Sequence, residues 1–262
     1  MPRADICIES FMDDQPLVER AKRVNDAGFD AIEFWFYDAG GDRKVGELAS
    51  YCRSTNMLIN NVVANAPDGS IGGSLVKSDD RSKYLSRVRE TIAVAKDIGC
   101  GKMITCTGNW RPGVSPDEHR KSVVDSLKAA ADIAGAQGMT LLLEVLNSRV
   151  DHAGYFLDSL DEGAAIVREV GNPALKLLFD VYHVQIMQGD IISRIEQHLE
   201  VIGHFHSAGV PGRHELDDGE LNYPNILRKL DELGYEGFFG LEYWPKLPVD
   251  ESLRKMRALT RT

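Results

Sequence analysis

Four strand-like segments in the second half of the chain each carry one side chain that can bind a divalent cation. They are LLLEVLN with Glu144, LKLLFDV with Asp180, GHFHSAG with His206 and FFGLEYW with Glu242. Glu144 and Glu242 interrupt apolar runs, where an unpaired charge costs several kcal/mol. Because neighbouring strands lie ~4.8 Å apart, side chains near their ends can converge on one ion. The four residues therefore predict a metal site.

Each of the four residues also has an ordinary structural explanation. Asp180 can cap a following helix, and His206 can be a hydrogen-bonded core histidine. Glu144 and Glu242 can pair with Lys or Arg. The metal site is favoured because the four occupy matching positions on four successive strand-like segments, which single structural roles would not require.

The chemistry of the four groups favours a particular kind of ion. Three carboxylates and one imidazole without thiolate suit Mn(II), Mg(II) or Co(II) better than a structural zinc site, and Mn(II) is our first choice. Two open coordination positions would accept a carbonyl oxygen and the adjacent hydroxyl, so that the ion stabilises an enediolate. Glu144 and Glu242, arriving from different strands, are the candidate base and acid for the proton transfer.

Further residues are candidates for substrate contact. His183 lies three residues beyond Asp180 and is predicted to face the substrate oxygens from a loop, with a surface or capping role as the alternative. Arg213 lies in AGVPGRHELDDGELNYP and can bind a carboxylate, phosphate or polyol, aided by Lys246 if the substrate is acidic. Without these cations a neutral sugar is favoured. For the other candidates packing or turn formation is an equal explanation: Asn65, Trp110, Asn109, Glu33 and Trp35.

Eight strand-like segments that alternate with amphipathic segments would position these residues. The strand candidates begin at Ala4, Ala31, Leu58, Lys102, Thr140, Leu175, Ile202 and Gly237. Several are continuously apolar, as parallel strands buried on both faces should be. No glycine-rich phosphate turn follows the first segment, which argues against an open doubly wound sheet. The pattern predicts a (β/α)8 TIM barrel that forms a single domain over residues 1–262, with its chemistry at the carboxyl ends of the strands.

Capping patterns indicate where several helices begin and end. Ser115 to Glu118 forms a predicted capping box with proline at the first helical position, and Gly138 is the expected C-cap. Ser159 and Glu162 repeat the capping-box spacing. The segment 66–82, rich in Gly, Asp and Ser, is either a mobile lid over the site or a solvated loop.

Composition narrows the class of partner. A net charge of −10 argues against nucleic acid, since a DNA-binding protein normally needs a basic face. No apolar run approaches the roughly 18 residues of a membrane span, and the N-terminus lacks a signal-peptide pattern, so we expect a cytoplasmic location without membrane contact. The four cysteines form no CxxC pair. The expected partner is a small hydroxy-ketone or ketose, and the oligomeric state, including a homodimer or homotetramer, is left open.

With these residues and segments, the chain resembles the xylose isomerase-like sugar isomerase and epimerase superfamily, most closely its hydroxypyruvate isomerase-like branch. The most specific stretch is AGVPGRHELDDGELNYP followed by GLEYWP, while LLLEVLN and FDVYHVQ match in kind. The resemblance implies a TIM barrel that holds one divalent metal through the same four residues. It also implies that Glu144 and Glu242 move the proton and that His183 and Arg213 touch the substrate.

Two departures keep alternatives open within the superfamily. Hydroxypyruvate isomerase-like proteins often have glutamine at the position of His206, whereas ketose 3-epimerases acting on D-tagatose or D-psicose have histidine. Those epimerases also place a second glutamate where this chain has Arg149 and Val150. Endonuclease IV-like DNA repair is a further alternative, although its additional histidines are missing from LINNVVAN and KMITCTGN. A binding protein that retains the site without catalysis is the last alternative.

Overall fold

The computed structural model describes residues 2–40 and 43–261, and these ranges contain nine parallel strands and nine α-helices. The strands are β1 (Arg3–Cys7), β2 (Ala31–Glu33), β3 (Leu58–Ile59), β4 (Val62–Val63), β5 (Lys102–Thr105), β6 (Thr140–Glu144), β7 (Leu175–Asp180), β8 (Ile202–Ser207) and β9 (Phe238–Leu241). The helices are α1 (Leu17–Asp26), α2 (Val45–Thr55), α3 (Arg81–Ile98), α4 (Pro116–Gly135), α5 (Leu160–Val170), α6 (Val181–Met187), α7 (Ile191–His198), α8 (Tyr223–Glu232) and α9 (Val249–Leu259).

The strands form one sheet in the order β3-β2-β1-β9-β8-β7-β6-β5-β4. Its two end strands, β3 and β4, are separated in the chain only by Asn60 and Asn61. The backbone N–H of Asn60 donates to Ile32 O on the β2 side at 2.8 Å, and that of Ala64 donates to Ile104 O on the β5 side at 2.8 Å. The third predicted strand is therefore split into two short strands, and this segment bonds to both ends of the sheet.

Each of the eight predicted strand segments contains an observed strand, because their apolar runs are long enough to be buried in a parallel sheet. Leu141, Leu143 and Leu177 have no accessible surface and belong to the main hydrophobic core. The strand count is nine instead of eight because of the interruption at Asn60 and Asn61. Two helices, α6 and α7, follow β7 where one was expected.

The predicted start of α4 is confirmed. Ser115 Oγ accepts the N–H of Glu118, and the Glu118 carboxylate accepts the N–H of Ser115 at 3.0 Å. The helix ends at Gly135, and Gly138 instead takes a φ of +70° in the turn that follows. At α5, Ser159 Oγ accepts the N–H of Glu162, but the Glu162 carboxylate pairs with an arginine on α4, so only half of that predicted capping box is present.

The candidate lid, residues 66–82, is bonded to the neighbouring loop in this structure. Leu75 and Val76 both donate their backbone N–H groups to Thr107 O, and Asn65 Nδ2 donates to Gly73 O. Pro67 faces the main cavity. Movement of this segment stays a prediction. Among the helices in the described ranges, none combines the length and hydrophobicity that a membrane span needs.

Candidate functional site

The four predicted metal ligands converge at the carboxyl ends of four neighbouring strands. Glu144 is the last residue of β6, Asp180 the last of β7, His206 lies near the end of β8, and Glu242 follows β9 directly. The strand register pairs Asp180 with His206 and His206 with Gly240, which brings these ends to one level. One donor atom from each of the four residues lies within 4.8 Å of the others, and all four residues are buried.

The spacing of these donor atoms suits a shared cation. His206 Nδ1 lies 3.6 Å from Glu144 Oε1 and 3.5 Å from Glu242 Oε2, yet neither ring nitrogen of His206 makes an aligned hydrogen bond within the described residues. Adjacent ligands of a six-coordinate ion with ~2.1 Å bonds are ~3.0 Å apart, and those of a tetrahedral ion are ~3.4 Å apart. The residues present therefore fit a divalent cation.

Asp180 caps the following helix, and its second oxygen also faces the candidate metal site. Its Oδ1 accepts the backbone N–H of Tyr182 at 2.8 Å and that of His183 at 3.4 Å, which caps α6. Its Oδ2 points into the site, 3.9 Å from Arg213 Nη2. Burial raises the pKa of Asp180 to about 7, although Arg213 and His206 act in the opposite direction. A cation beside Oδ2 would favour the ionised carboxylate.

Glu242 is held at both of its carboxylate oxygens. Oε1 accepts a hydrogen bond from Trp35 Nε1 at 2.8 Å, and Oε2 accepts one from Arg213 Nη2. Burial opposes ionisation of this group, but Arg213 and His206 outweigh burial and hold the pKa of Glu242 well below its usual range. Glu242 is therefore a fixed, ionised carboxylate at neutral pH.

His206 is surrounded by acidic groups. Burial disfavours its charged form, but attraction to Glu33 and close contact with the carboxylates of Glu144 and Glu242 raise the pKa of His206 well above its ordinary value. A metal ligand must offer a neutral ring nitrogen, so a cation at this position has to replace a proton. Binding of a cation here would therefore release a proton.

Arg213 lies inside the site, as expected for a substrate-binding residue. Its guanidinium carbon is 4.9 Å from the centroid of the Trp244 ring and 5.1 Å from that of Tyr182, so two aromatic faces hold the cation. Burial lowers the pKa of Arg213, but Glu242 and Asp180 more than compensate and raise it above the usual value. Its Nε is buried without a hydrogen-bond partner in the described part of the chain and is a donor available to a ligand.

His183 also lies beside the site, but on helix α6 instead of in a loop. Its Nδ1 accepts the backbone N–H of Asn147 at 3.2 Å, and a backbone N–H can only donate. The proton of the neutral ring therefore sits on Nε2, which lies 3.5 Å from Asp180 Oδ2. Burial, reinforced by the nearby Arg213, lowers the pKa of His183 well below its ordinary value, so the ring is neutral.

Of the other candidates for substrate contact, Trp35 lines the main cavity, whereas Asn109 and Glu33 do not, and neither do the three residues that follow. Asn65 is buried and bonds to backbone groups of neighbouring loops. Trp110 is 44% exposed and packs edge-on against Phe156. Lys246 Nζ pairs with Asp218 at 2.6 Å. Substrate contact by these three stays a prediction, and the structure shows another contact for each.

A cavity of about 270 Å³ is lined by three of the four candidate ligands, Glu144, His206 and Glu242. Its lining consists of Trp35, Phe36, Val63, Pro67, Ile104, Cys106, Glu144, Leu146, Asp151, His152, His206, Arg213, Glu242 and Trp244. Its walls are largely apolar and aromatic, and its ionisable groups include carboxylates, two imidazoles and the Arg213 guanidinium. This arrangement suits a small polar molecule that is held by charged groups and enclosed by rings.

Asp151, His152 and Trp244 were not among the predicted site residues. Asp151 accepts a hydrogen bond from Asn147 Nδ2 at 2.6 Å, and the His152 ring centroid is 5.5 Å from that of His183. In the sequence, Asp151 and His152 look like solvated loop residues. The signal that could have identified them is their short separation from Glu144 along the chain, since the loop after a barrel strand reaches over the mouth of the barrel.

A parallel α/β sheet with a carboxylate and imidazole cluster at the carboxyl ends of its strands defines the class of TIM-barrel proteins with a cation-compatible pocket. Comparison with known proteins identifies the family within this class. The family model for the xylose isomerase-like TIM barrel matches residues 21–259, and the chain belongs to this family.

Curated relatives cover nearly the whole chain. A 2-oxo-tetronate isomerase of Cupriavidus necator is 32% identical over 253 residues, which is 97% of this chain and 96% of the relative. A putative hydroxypyruvate isomerase of Xenopus laevis is 33% identical over 234 residues, or 87% of this chain and 84% of the relative.

Solved structures share the fold. A Brucella melitensis protein described as an AP endonuclease of family 2 superposes with a TM-score of 0.90 at 28% identity, covering 98% of this chain and 99% of its own. A D-psicose 3-epimerase of Clostridium cellulolyticum H10 gives a TM-score of 0.83, covering 99% of this chain and 98% of its own. Its 17% identity supports a common fold alone.

Proposed function

We propose that this protein is a divalent-metal-dependent isomerase that moves a proton between adjacent carbons of a small hydroxy-ketone, in the manner of a hydroxypyruvate isomerase. The observation that carries the proposal is the convergence of Glu144, Asp180, His206 and Glu242, three of which, Glu144, His206 and Glu242, also line the main cavity. The names of the relatives, 2-oxo-tetronate isomerase and putative hydroxypyruvate isomerase, support the same reaction class.

The fold proposed for this enzyme is a single-domain (β/α)8 barrel that spans the chain. In it, β3 and β4 act as one interrupted strand, which reduces nine strands to eight and joins the two ends of the sheet order. The hydrogen bonds of Asn60 to the β2 side and of Ala64 to the β5 side support this closure.

The proposed cofactor is one divalent ion, with Mn(II) preferred and Mg(II) or Co(II) as alternatives, held by Glu144, Asp180, His206 and Glu242. When bound, such an ion supplies Lewis-acid polarisation of a carbonyl and its neighbouring hydroxyl. The ligand set is rich in oxygen and contains no thiolate, which is the type that these metals prefer. The sulfur of Cys7 lies 3.8 Å from Glu242 Oε1, and that of Cys106 lies 3.8 Å from Glu144 Oε2. Burial and the nearby carboxylates raise the pKa of both thiols, which keeps them protonated and disfavours them as metal ligands.

Glu144 and Glu242 are the proposed proton-transfer pair. They approach the cavity from β6 and from the end of β9, with His206 between their oxygens. One carboxylate takes the proton from the substrate carbon and so becomes a carboxylic acid, which then delivers that proton to the adjacent carbon. The hydroxyl proton passes to the former carbonyl oxygen, so the carbonyl changes position without net oxidation. Trp35 and Arg213 keep Glu242 in place during this transfer.

Arg213 and His183 are the proposed substrate-orienting groups. Arg213 Nε is an unpaired donor, and His183 presents Nε2–H toward the same side as Asp180 Oδ2. Both can donate to oxygens of a keto acid or a sugar. The small size of the cavity and the net charge of −10 fit a small molecule better than a nucleic acid. Cytoplasmic location and assembly into a homodimer or homotetramer stay predictions.

The test is carbon-bound proton exchange. The Mn(II)-loaded protein is incubated in deuterated water with hydroxypyruvate, 2-oxo-tetronate and a panel of ketoses, and deuterium incorporation is followed by NMR and mass spectrometry. We expect deuterium at the carbon next to the carbonyl together with the isomeric product. If no substrate in the panel exchanges a proton, the isomerase proposal is wrong.

Ketose 3-epimerisation is the second candidate. The presence of His206 in the ligand set favours it, because the resemblance places histidine there in epimerases. The same incubation separates the two activities, since epimerisation inverts a carbon without moving the carbonyl. An endonuclease IV-like activity is the alternative from another class, and nicking of a DNA duplex with one abasic site would support it.

A further inference from the structure

Beneath the candidate metal centre lies a second buried polar cluster formed by Glu33, His204, His206 and Asn61. Glu33 Oε1 lies 2.9 Å from His206 Nε2, on the side of the ring opposite to the metal-facing Nδ1. Glu33 Oε2 lies 3.1 Å from His204 Nε2 and accepts a hydrogen bond from Asn61 Nδ2. Glu33, His204 and Asn61 are each no more than 1% exposed.

This cluster has the composition of a second ion site, but its geometry favours a different role. Donor atoms of Glu33, His204 and His206 lie within 4.8 Å of one another. Glu33 Oε2 is nevertheless already engaged by His204 and Asn61, and neither Glu33 nor His204 lines the main cavity. An ion would have to break these contacts among residues that are almost fully buried. The cluster is therefore better explained as a support for His206.

The surrounding strands leave room for this contact. A Cβ atom on Gly240 would lie 2.8 Å from His206 Cδ2, 3.0 Å from His204 Nε2 and 3.1 Å from Glu33 Oε1. Any larger residue at position 240 would push against all three groups at once. Glycine on β9, paired in register with His206 on β8, thus permits Glu33 to reach the imidazole.

We propose that Glu33 is a positioning residue for the candidate metal ligand His206. Its Oε1 lies within hydrogen-bonding distance of Nε2, 2.9 Å away, and a small rotation of the carboxylate would let it accept Nε2–H. This contact would fix the ring so that the lone pair of Nδ1 faces Glu144 and Glu242. A carboxylate behind a metal-binding histidine sets the tautomer and raises the basicity of the ligating nitrogen. This inference rests on the proposed function, because it requires that His206 binds a cation.

Glutamate is required in this role because both of its oxygens must accept. One oxygen faces the Asn61 amide and His204, and the other faces His206. A glutamine has one oxygen and one NH2 group, so one side would meet a donor. If the NH2 faces His206, the ring must accept at Nε2 and carry its proton on Nδ1, where it blocks the metal.

The experiment compares metal binding by wild-type protein, Glu33→Gln and Asp161→Asn. Asp161→Asn is the matched control, because Asp161 Oδ1 also lies 2.9 Å from a histidine, His198 Nε2, in a pair between α5 and α7 that does not line the cavity. Mn(II) affinity is measured on the intact apoprotein by titration against a competing chelator, with stoichiometry from elemental analysis. The tautomer of His206 is read from its ¹⁵N ring shifts in the diamagnetic Mg(II) form and in the apoprotein.

We expect one ion per wild-type chain, a 10- to 100-fold weaker affinity in Glu33→Gln, and wild-type affinity in Asp161→Asn. The His206 tautomer should change in Glu33→Gln, whereas a merely structural role would lower the melting temperature and leave tautomer and affinity unchanged. That outcome overturns the inference. Two ions per chain would overturn it in favour of a second site, and no ion bound by wild-type protein would instead reject the proposed function. If Glu33→Gln does not fold, Glu33→Asp, which keeps the acceptors but shortens the reach, is expected to show an intermediate loss of affinity.

Discussion

Substitution of Glu242 by Gln tests the proposed chemistry most directly. The change keeps the shape of the side chain but removes its charge, one candidate metal ligand and one proton-transfer group. The amide oxygen can still accept from Trp35 Nε1, which now bonds Oε1 at 2.8 Å. The amide NH2 would then face Arg213, whose Nη2 donates to Oε2 in the wild-type protein. The variant is therefore expected to fold with a locally disturbed site.

The magnitudes follow from these contacts. Loss of a general acid or base lowers the rate by about 10²- to 10⁴-fold, or roughly 2.7–5.5 kcal/mol of transition-state stabilisation. Loss of a hydrogen bond to a charged group costs about 1.5–3 kcal/mol of unfolding free energy. We expect the loss of unfolding free energy to lie in the lower part of the range that is typical when one partner of a buried ion pair is removed. The reason is that Asp180 Oδ2 remains 3.9 Å from Arg213 and still offsets its charge.

The assay measures product formation and deuterium uptake with saturating Mn(II), so that weaker metal binding does not limit the rate. Circular dichroism and chemical denaturation report folding. Glu215→Gln is the control, because Glu215 is also buried but accepts backbone N–H groups of Lys246 and Leu247 outside the cavity. We expect this control to lose stability with little change in turnover. Turnover by Glu242→Gln at the wild-type rate would refute the assignment of Glu242 to the chemistry.

Three further predictions concern the same cavity. Arg213→Ala should raise KM roughly 10- to 100-fold for 2-oxo acids and less for neutral ketoses, since a charged hydrogen bond is lost, and an unchanged KM for the acids contradicts that role. Mn(II) affinity should fall between pH 8 and pH 6, because Asp180, with a pKa of about 7, and His206, with a raised pKa, both bind protons in competition with the ion. Potentiometric titration of the protons released on metal addition checks this competition. An affinity that does not depend on pH argues against Asp180 and His206 as metal ligands. Cys7 and Cys106 should resist iodoacetamide at pH 8 in the folded protein, because burial and neighbouring carboxylates raise the pKa of both thiols, and rapid labelling seen by mass spectrometry would contradict their burial.

The strands and the four candidate ligands could be predicted because their signals are local. A continuous apolar run predicts a buried parallel strand, and a polar residue at its end falls at the carboxyl edge of the sheet. Glu144 and Asp180 are the last residues of their strands, as this reasoning requires. The break at Asn60 and Asn61 was not predicted. The apolar residues on both sides of this pair make LINNVVA resemble one continuous strand.

Residues on loops were harder to assign. Asp151 and His152 line the cavity, whereas Lys246 turns outward to Asp218, and no periodicity distinguishes these cases in the sequence. The direction of a loop side chain depends on how the loop folds back over the barrel. For Asp151 that depends on a hydrogen bond from Asn147, which itself binds His183 on another element.

The support of His206 by Glu33 depends on still longer-range geometry. Alternation along β8 places His204 and His206 on the same face, which the sequence pattern HFH already indicates. Glu33 belongs to β2, however, and β1 and β9 lie between β2 and β8 in the sheet. In a flat sheet three strand steps would separate them by ~14 Å. A contact of 2.9 Å between Glu33 and His206 therefore requires the sheet to curl until side chains from strands that are not neighbours meet inside it. The same curvature that encloses the cavity above His206 brings the carboxylate to its underside, so the candidate ligand and its support arise together from the curling of the sheet.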